Sequence, residues 1–182
     1  MATRVQQMYD SLAKYPGGKR LFSIAFARKA PFFRTIKAEF IQVGPNFASL
    51  RLPNRKAVHN HIGTVHAIAV CNGLEAAMGA LAEVTIPAGK RWLPKGMTVE
   101  YLAKSSSDLV CTAETDPADW TGGPDVPVRV QAVRDDGTVV VQGVISLWVT
   151  DKPAKDKPAK DKPAKEKPAD AAKQATGAGS AT

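Results

Sequence analysis

No run of about 18 consecutive apolar residues occurs in this 182-residue chain, so no segment reads as a membrane span. The start lacks a short basic region followed by an apolar stretch, and Arg28 and Lys29 interrupt Leu21 to Phe33, so no secretory signal is expected. Cysteine is scarce. Cys71 and Cys111 both sit in apolar stretches and read as small buried hydrophobes in a reducing compartment. These absences point to a cytoplasmic protein. A body of about 150 residues can also bury a core without a disulfide or metal staple.

A basic helix or an aromatic-studded basic strand, of the kind that reads bases, is missing too. The net charge of +8 is therefore weak support for nucleic acid, and none is expected as a partner. That charge divides into +3 from Asp151 onward and +5 in the body. It suits anionic ligands, phosphate-bearing ones included.

The last 32 residues, 151–182, repeat DKPAK and end in small residues. Proline every fifth position forbids a continuous helix, and nothing apolar is available for a core, so a disordered, solubilising tail is expected. Before it, Val5, Met8, Leu12 and Ala13 recur at helical spacing up to Pro16-Gly17-Gly18, and Lys19 to Arg28 forms a second short helix ahead of Pro31. Residues 1–33 thus read as a helical extension and 34–150 as the main domain. The aromatics Phe22, Phe26, Phe32 and Phe33 are expected to cover part of the sheet, ahead of a membrane-surface role.

Strand patterns follow at Thr35 to Val43 and Phe47 to Leu52, joined by Gly44-Pro45-Asn46. Later come Met97 to Ala103, Leu109 to Ala113, and a hairpin of Val126 to Ala132 and Val139 to Val149 around Asp135-Asp136-Gly137. Between the strand groups lies one long apolar helix. One helix with a single antiparallel sheet is an α+β arrangement.

The richest segment is Asn60 to Glu83. A polar loop with Asn60, His61, Gly63 and His66 feeds a helix of small apolar residues that carries one carboxylate, Glu75, at its middle. A helix apolar on nearly all faces should be buried, and a buried carboxylate is costly unless something needs it. Glu75 and the loop are thereby nominated as a site. His59, His61, His66 and Glu75 are residue types that bind zinc, but the sequence does not fix their geometry and no metal is expected.

Asn60, Gly63, His66 and Glu75 also stand in register with a known pattern, Asn-x-x-Gly-x-x-His-Gly-Gly with an acidic residue nine positions after the histidine. On these residues, and on KGMTVEYLAKSSSDL with its strand-ending Tyr101, the chain resembles the hotdog-fold thioesterase superfamily. More narrowly it is similar to the PaaI-like acyl-CoA thioesterases and their uncharacterised relatives. Ala67 and Ile68 replace the two glycines, and Glu75 replaces the more usual aspartate.

The resemblance implies a curved antiparallel sheet wrapped around one long central helix. It implies Glu75 as general base or nucleophile, the backbone N–H of Ala67 as oxyanion donor, and Asn60 as the group that orients water or carbonyl, with His66 beside them. It also implies a dimer or dimer of dimers, because loop and carboxylate come from opposite subunits. Coenzyme A enters only as part of the substrate, and Arg51, Arg55, Lys56, Lys90, Arg91 and Lys95 are candidates for its phosphates. Two other readings stay open. One is a hotdog dehydratase or hydratase, since His61 and Glu75 have the fourteen-residue spacing of that pair but lack its proline- and glycine-rich loop. The other is a non-catalytic acyl-thioester-binding protein in which Glu75 is structural.

Overall fold

The computed structural model describes residues 2–153, so most of the repeat tail lies outside the described residues. Two helices come first, α1 (Arg4–Leu12) and α2 (Gly18–Lys29). Thr3 caps α1, its side chain accepting from the N–H of Gln6 at 3.2 Å. A 3-10 turn at Pro31–Thr35 follows. Then come β1 (Glu39–Gly44), β2 (Phe47–Leu52), α3 (Ala67–Thr85), β3 (Lys90–Tyr101), β4 (Leu109–Glu114), β5 (Asp125–Arg134) and β6 (Val139–Asp151).

The six strands form one antiparallel sheet in the order β1-β2-β4-β5-β6-β3. Strict alternation of buried and exposed residues along β5 turns Val126, Val128, Val130 and Ala132 to one face. Against that face lies α3, packed on β1, β2, β4, β5 and β6. Its small residues let it settle close to the strands. A Cβ built on Gly73 would come within 2.9 Å of Cys111 Sγ on β4. The helix is long and apolar enough to cross a membrane, yet 67% of its apolar window is buried inside this domain, as befits a core helix.

α1 and α2 share the same core. Phe22 packs edge-on against Tyr9 and Phe40, with ring centres 5.0 and 5.3 Å apart, and Phe26 meets Phe40 at 5.1 Å. Each such pair contributes about 0.5–1.5 kcal/mol beyond its buried area. Of the four phenylalanines expected to cover the sheet, Phe22 and Phe26 are buried and Phe33 is half-buried, while Phe32 is 63% exposed.

Two strands start more than one residue away from where the sequence places them. The first strand begins at Glu39, not Thr35, because Pro31 opens a 3-10 turn that runs to Thr35. The third begins at Lys90, not Met97. Pro94 argues against a central strand, but β3 is an edge strand, and the proline sits at a register shift between Pro94 and Gly96.

Candidate active site

The loop that feeds α3 is folded by its own polar groups. Asn60 Oδ1 accepts from the N–H groups of Ile62 and Thr64, each at 3.1 Å, while Asn60 Nδ2 donates to Thr64 Oγ1 at 2.9 Å. This is an Asx-type turn, and Gly63 supplies its left-handed residue at φ 79°. One N–H of the Asn60 amide is left for a ligand. His59 bridges Val65 across the loop, and its Nε2 lies 2.5 Å from Asn54 Oδ1. Asn54 is held in turn, its N–H donating to Asp108 Oδ1 at 2.7 Å and its Nδ2 to Ser106 O at 3.0 Å.

His66 ends the loop as the N-cap of α3, its ring Nδ1 accepting from the N–H of Ile68 at 3.1 Å. That contact places the proton of the neutral ring on Nε2. Ala67 follows as the first helical residue. Among the described residues nothing accepts from its N–H, which points out of the positive end of the helix. Asn60, Thr64, Ala67, Tyr101 and Ser105 together line a concavity of about 350 Å³.

Glu75 lies eight residues farther on, about 12 Å along the helix axis, and lines other hollows. One, of about 170 Å³, is shared with Phe26, Met78, Gly79 and Trp92. The other, of about 240 Å³, is bounded by Pro94 to Met97 and Ile145. Within one chain Asn60, Ala67 and the His66 cap come together, and Glu75 stands apart from them.

Glu75 is half-buried, not sealed in the core as a helix apolar on all faces would have it. The stripe Ile68, Cys71, Glu75, Gly79 runs along the side of α3 toward the edge strand β3, where Cys71 meets Tyr101 and Gly79 meets Trp92. Its second half is covered, with Phe26 and Trp92 reaching Gly79. Its first half is open: Ile68 is 57% exposed and Cys71 is half-buried.

Most basic candidates for phosphate are already engaged. Arg51 pairs with Asp108, Lys90 with Asp151 at 2.8 Å, and Lys95 with Asp125 at 2.7 Å while lying over the Trp148 ring. Arg55 turns inward to the carbonyl of Thr35, and Arg91 donates to Thr150 Oγ1 at 3.2 Å. Lys56 is exposed. The six do not form one patch, since Arg51 lies on β2 whereas Lys90, Arg91 and Lys95 lie on β3, at the far edge of the sheet. Among the described residues no three His, Cys, Asp or Glu converge as metal ligands.

One polar side chain escaped the sequence reading. Asn72 is 4% exposed, with Nδ2 on Thr35 Oγ1 at 3.2 Å and no partner for Oδ1 among the described residues. An asparagine within the apolar run was the available signal. Tyr101, on the resemblance's strand, places its hydroxyl 3.5 Å from Cys71 Sγ.

A family described as "Domain of unknown function (DUF4442)" matches residues 18–149. A structural-genomics crystal structure is 38% identical with a TM-score of 0.72, over 81% of this chain and 99% of that one. A Pseudomonas aeruginosa protein described as a probable thioesterase is 18% identical with a TM-score of 0.65, over 76% of this chain and 97% of that one. A thioesterase family protein from Silicibacter pomeroyi is 22% identical with a TM-score of 0.60, over 71% and 95%. The last two likenesses establish the hotdog fold. No curated protein matches.

Proposed function

The chain belongs to the DUF4442 family, a domain of unknown function carried here on the hotdog fold, and from that premise we propose that it is a dimeric acyl-CoA thioesterase. The observation that carries the reading is the N–H of Ala67. It is unclaimed at the positive end of a long helix and opens on a concavity beside Asn60. A donor so placed suits the oxyanion that forms when a thioester carbonyl is attacked.

In this scheme Glu75 takes a proton from a water whose oxygen attacks the carbonyl carbon. The oxyanion is held by Ala67 N–H. Collapse of the intermediate breaks the carbon–sulfur bond, and the departing thiolate takes the proton back from Glu75, giving a carboxylic acid and free coenzyme A. His66 positions the donor by capping the helix. The free N–H of Asn60 orients water or carbonyl.

Because Glu75 and Ala67 are about 12 Å apart on one helix, the scheme needs two copies, each lending one half. Two features favour such pairing. β3 is a twelve-residue edge with no strand beyond it among the described residues, and the open stripe of α3 meets that strand where Cys71 touches Tyr101. Of the six basic candidates, Lys56 and Arg91 are the two that contact neither a carboxylate nor a backbone carbonyl among the described residues, and we assign them to the phosphates of coenzyme A.

Free-thiol release from short, medium, long and aromatic acyl-CoAs tests the reading. Saturable hydrolysis that disappears in a folded, dimeric Glu75→Gln variant supports it. No release from any acyl-CoA refutes it and turns attention to hydration of enoyl thioesters, where His61 and Glu75 would be the pair.

A further inference from the structure

From Ser11 to Ala38 the chain has seven lysines and arginines and no aspartate or glutamate. This stretch carries +7, whereas the body as a whole carries +5, so the rest of the body is net acidic. The charge is concentrated on α2 and the segments flanking it.

α2 has two faces. Phe22, Ser23 and Phe26 are buried against α1 and β1. The opposite side presents Arg20, Leu21, Ile24 and Arg28, all exposed and one turn or less apart. Leu21 is 59% exposed and Ile24 46%. Tyr15, 70% exposed, precedes the helix, and Phe32, 63% exposed, follows it. Four large apolar side chains thus stand in water among arginines and lysines, with no carboxylate from their own segment. The acidic residues on elements packed against α2 are Asp10 of α1, hydrogen-bonded to Gln6 at 2.7 Å, Glu39 of β1, and Glu75 and Glu83 of α3, the last two on the Phe26 side of the helix, away from Leu21 and Ile24.

We infer that this face docks the protein on an anionic lipid surface, Leu21, Ile24, Tyr15 and Phe32 entering the interfacial layer while the flanking arginines and lysines meet lipid phosphates. Apolar side chains ringed by basic ones are the pattern by which an interfacial helix binds a bilayer without crossing it. A second copy is a poor occupant, because two such faces would bring like charges together. Nucleic acid would use the charge but gain nothing from Leu21 and Ile24. The inference stands whether or not the chain hydrolyses thioesters.

The test is co-sedimentation of the full chain with phosphatidylcholine vesicles, with and without phosphatidylserine, at low and high salt. Binding is expected to vesicles containing phosphatidylserine and to fall with salt. Arg20→Gln with Arg28→Gln should weaken it about fivefold per residue. Leu21→Ser with Ile24→Ser should weaken it about tenfold for the pair, with charge and tail unchanged. All four side chains point to solvent, so folding, checked by circular dichroism, is preserved. Absence of binding, equal binding to neutral vesicles, or binding indifferent to Leu21→Ser with Ile24→Ser would overturn the inference. So would duplex DNA binding that depends on the arginines, together with no uptake on vesicles.

Discussion

Cys71 Sγ lies 3.5 Å from the Tyr101 hydroxyl, tying the open stripe of α3 to the last residue of the edge strand β3. The hydrogen bond to Cys71 first, and partial desolvation second, hold the Tyr101 phenol above its ordinary value. Burial does the same for Tyr9. Titration followed by tyrosinate absorbance should therefore show Tyr101 and Tyr9 ionising above the ordinary tyrosine value. Cys71→Ala should return Tyr101 toward its ordinary value and leave Tyr9 unchanged. An unaltered titration in Cys71→Ala would remove the thiol as the cause.

The two thiols should differ sharply. Burial against α3 pushes Cys111 up to about 12, so it carries almost no thiolate near neutrality. Alkylation of the native protein should stop at one label per chain, on Cys71. The second label should appear only on unfolding, as mass spectrometry of the labelled peptides would show.

Gly73 is where α3 comes closest to β4. A Cβ there meets Cys111 Sγ at 2.9 Å. Gly73→Ala should destabilise the fold by about 1–3 kcal/mol through overpacking, partly offset by about 1 kcal/mol of helix propensity. Adding Cys111→Ala should make the pair less costly than the sum of the single changes in a denaturant series.

Much of this fold is legible in the sequence. Phe47 to Leu52 is the returning strand of the hairpin expected around Gly44-Pro45-Asn46, and Asp135-Asp136-Gly137 makes the expected turn, with Gly137 at φ 83°. Those signals are local. The start of β3 is not local information, because Pro94 is tolerated only where the strand is an edge. The exposure of Glu75 depends on how far α1 and α2 cover the helix, which periodicity does not report. Asn60, Ala67 and His66 are legible as a motif. That Asn60 spends most of its amide on its own loop, and that Arg51, Arg55 and Lys95 are engaged by partners, required the assembled chain.

Acid should loosen the loop that carries Asn60. The N–H of Asn54 first, and Arg51 second among the favourable contacts, hold the Asp108 carboxyl below its ordinary value. A depressed carboxyl contributes stability that is present above its unfolded value and lost as pH falls through its folded value. Asp108→Asn should lower the denaturation midpoint at neutral pH and flatten its decline in acid. Equal acid sensitivity in the variant would exclude Asp108 as a source.

The claim that one catalytic site is shared by two copies is tested most directly by mixing two inactive variants. Ala67→Pro deletes only the oxyanion N–H, since proline is well accepted at the first position of a helix and His66 before it is already extended. Alone it should cost about 10²–10³ in kcat, and Glu75→Gln should be inactive. Refolded together in equal amounts, the two should recover about a quarter of wild-type thioester hydrolysis, because half the dimers then hold one intact site. A mixture no more active than its components would contradict the shared site.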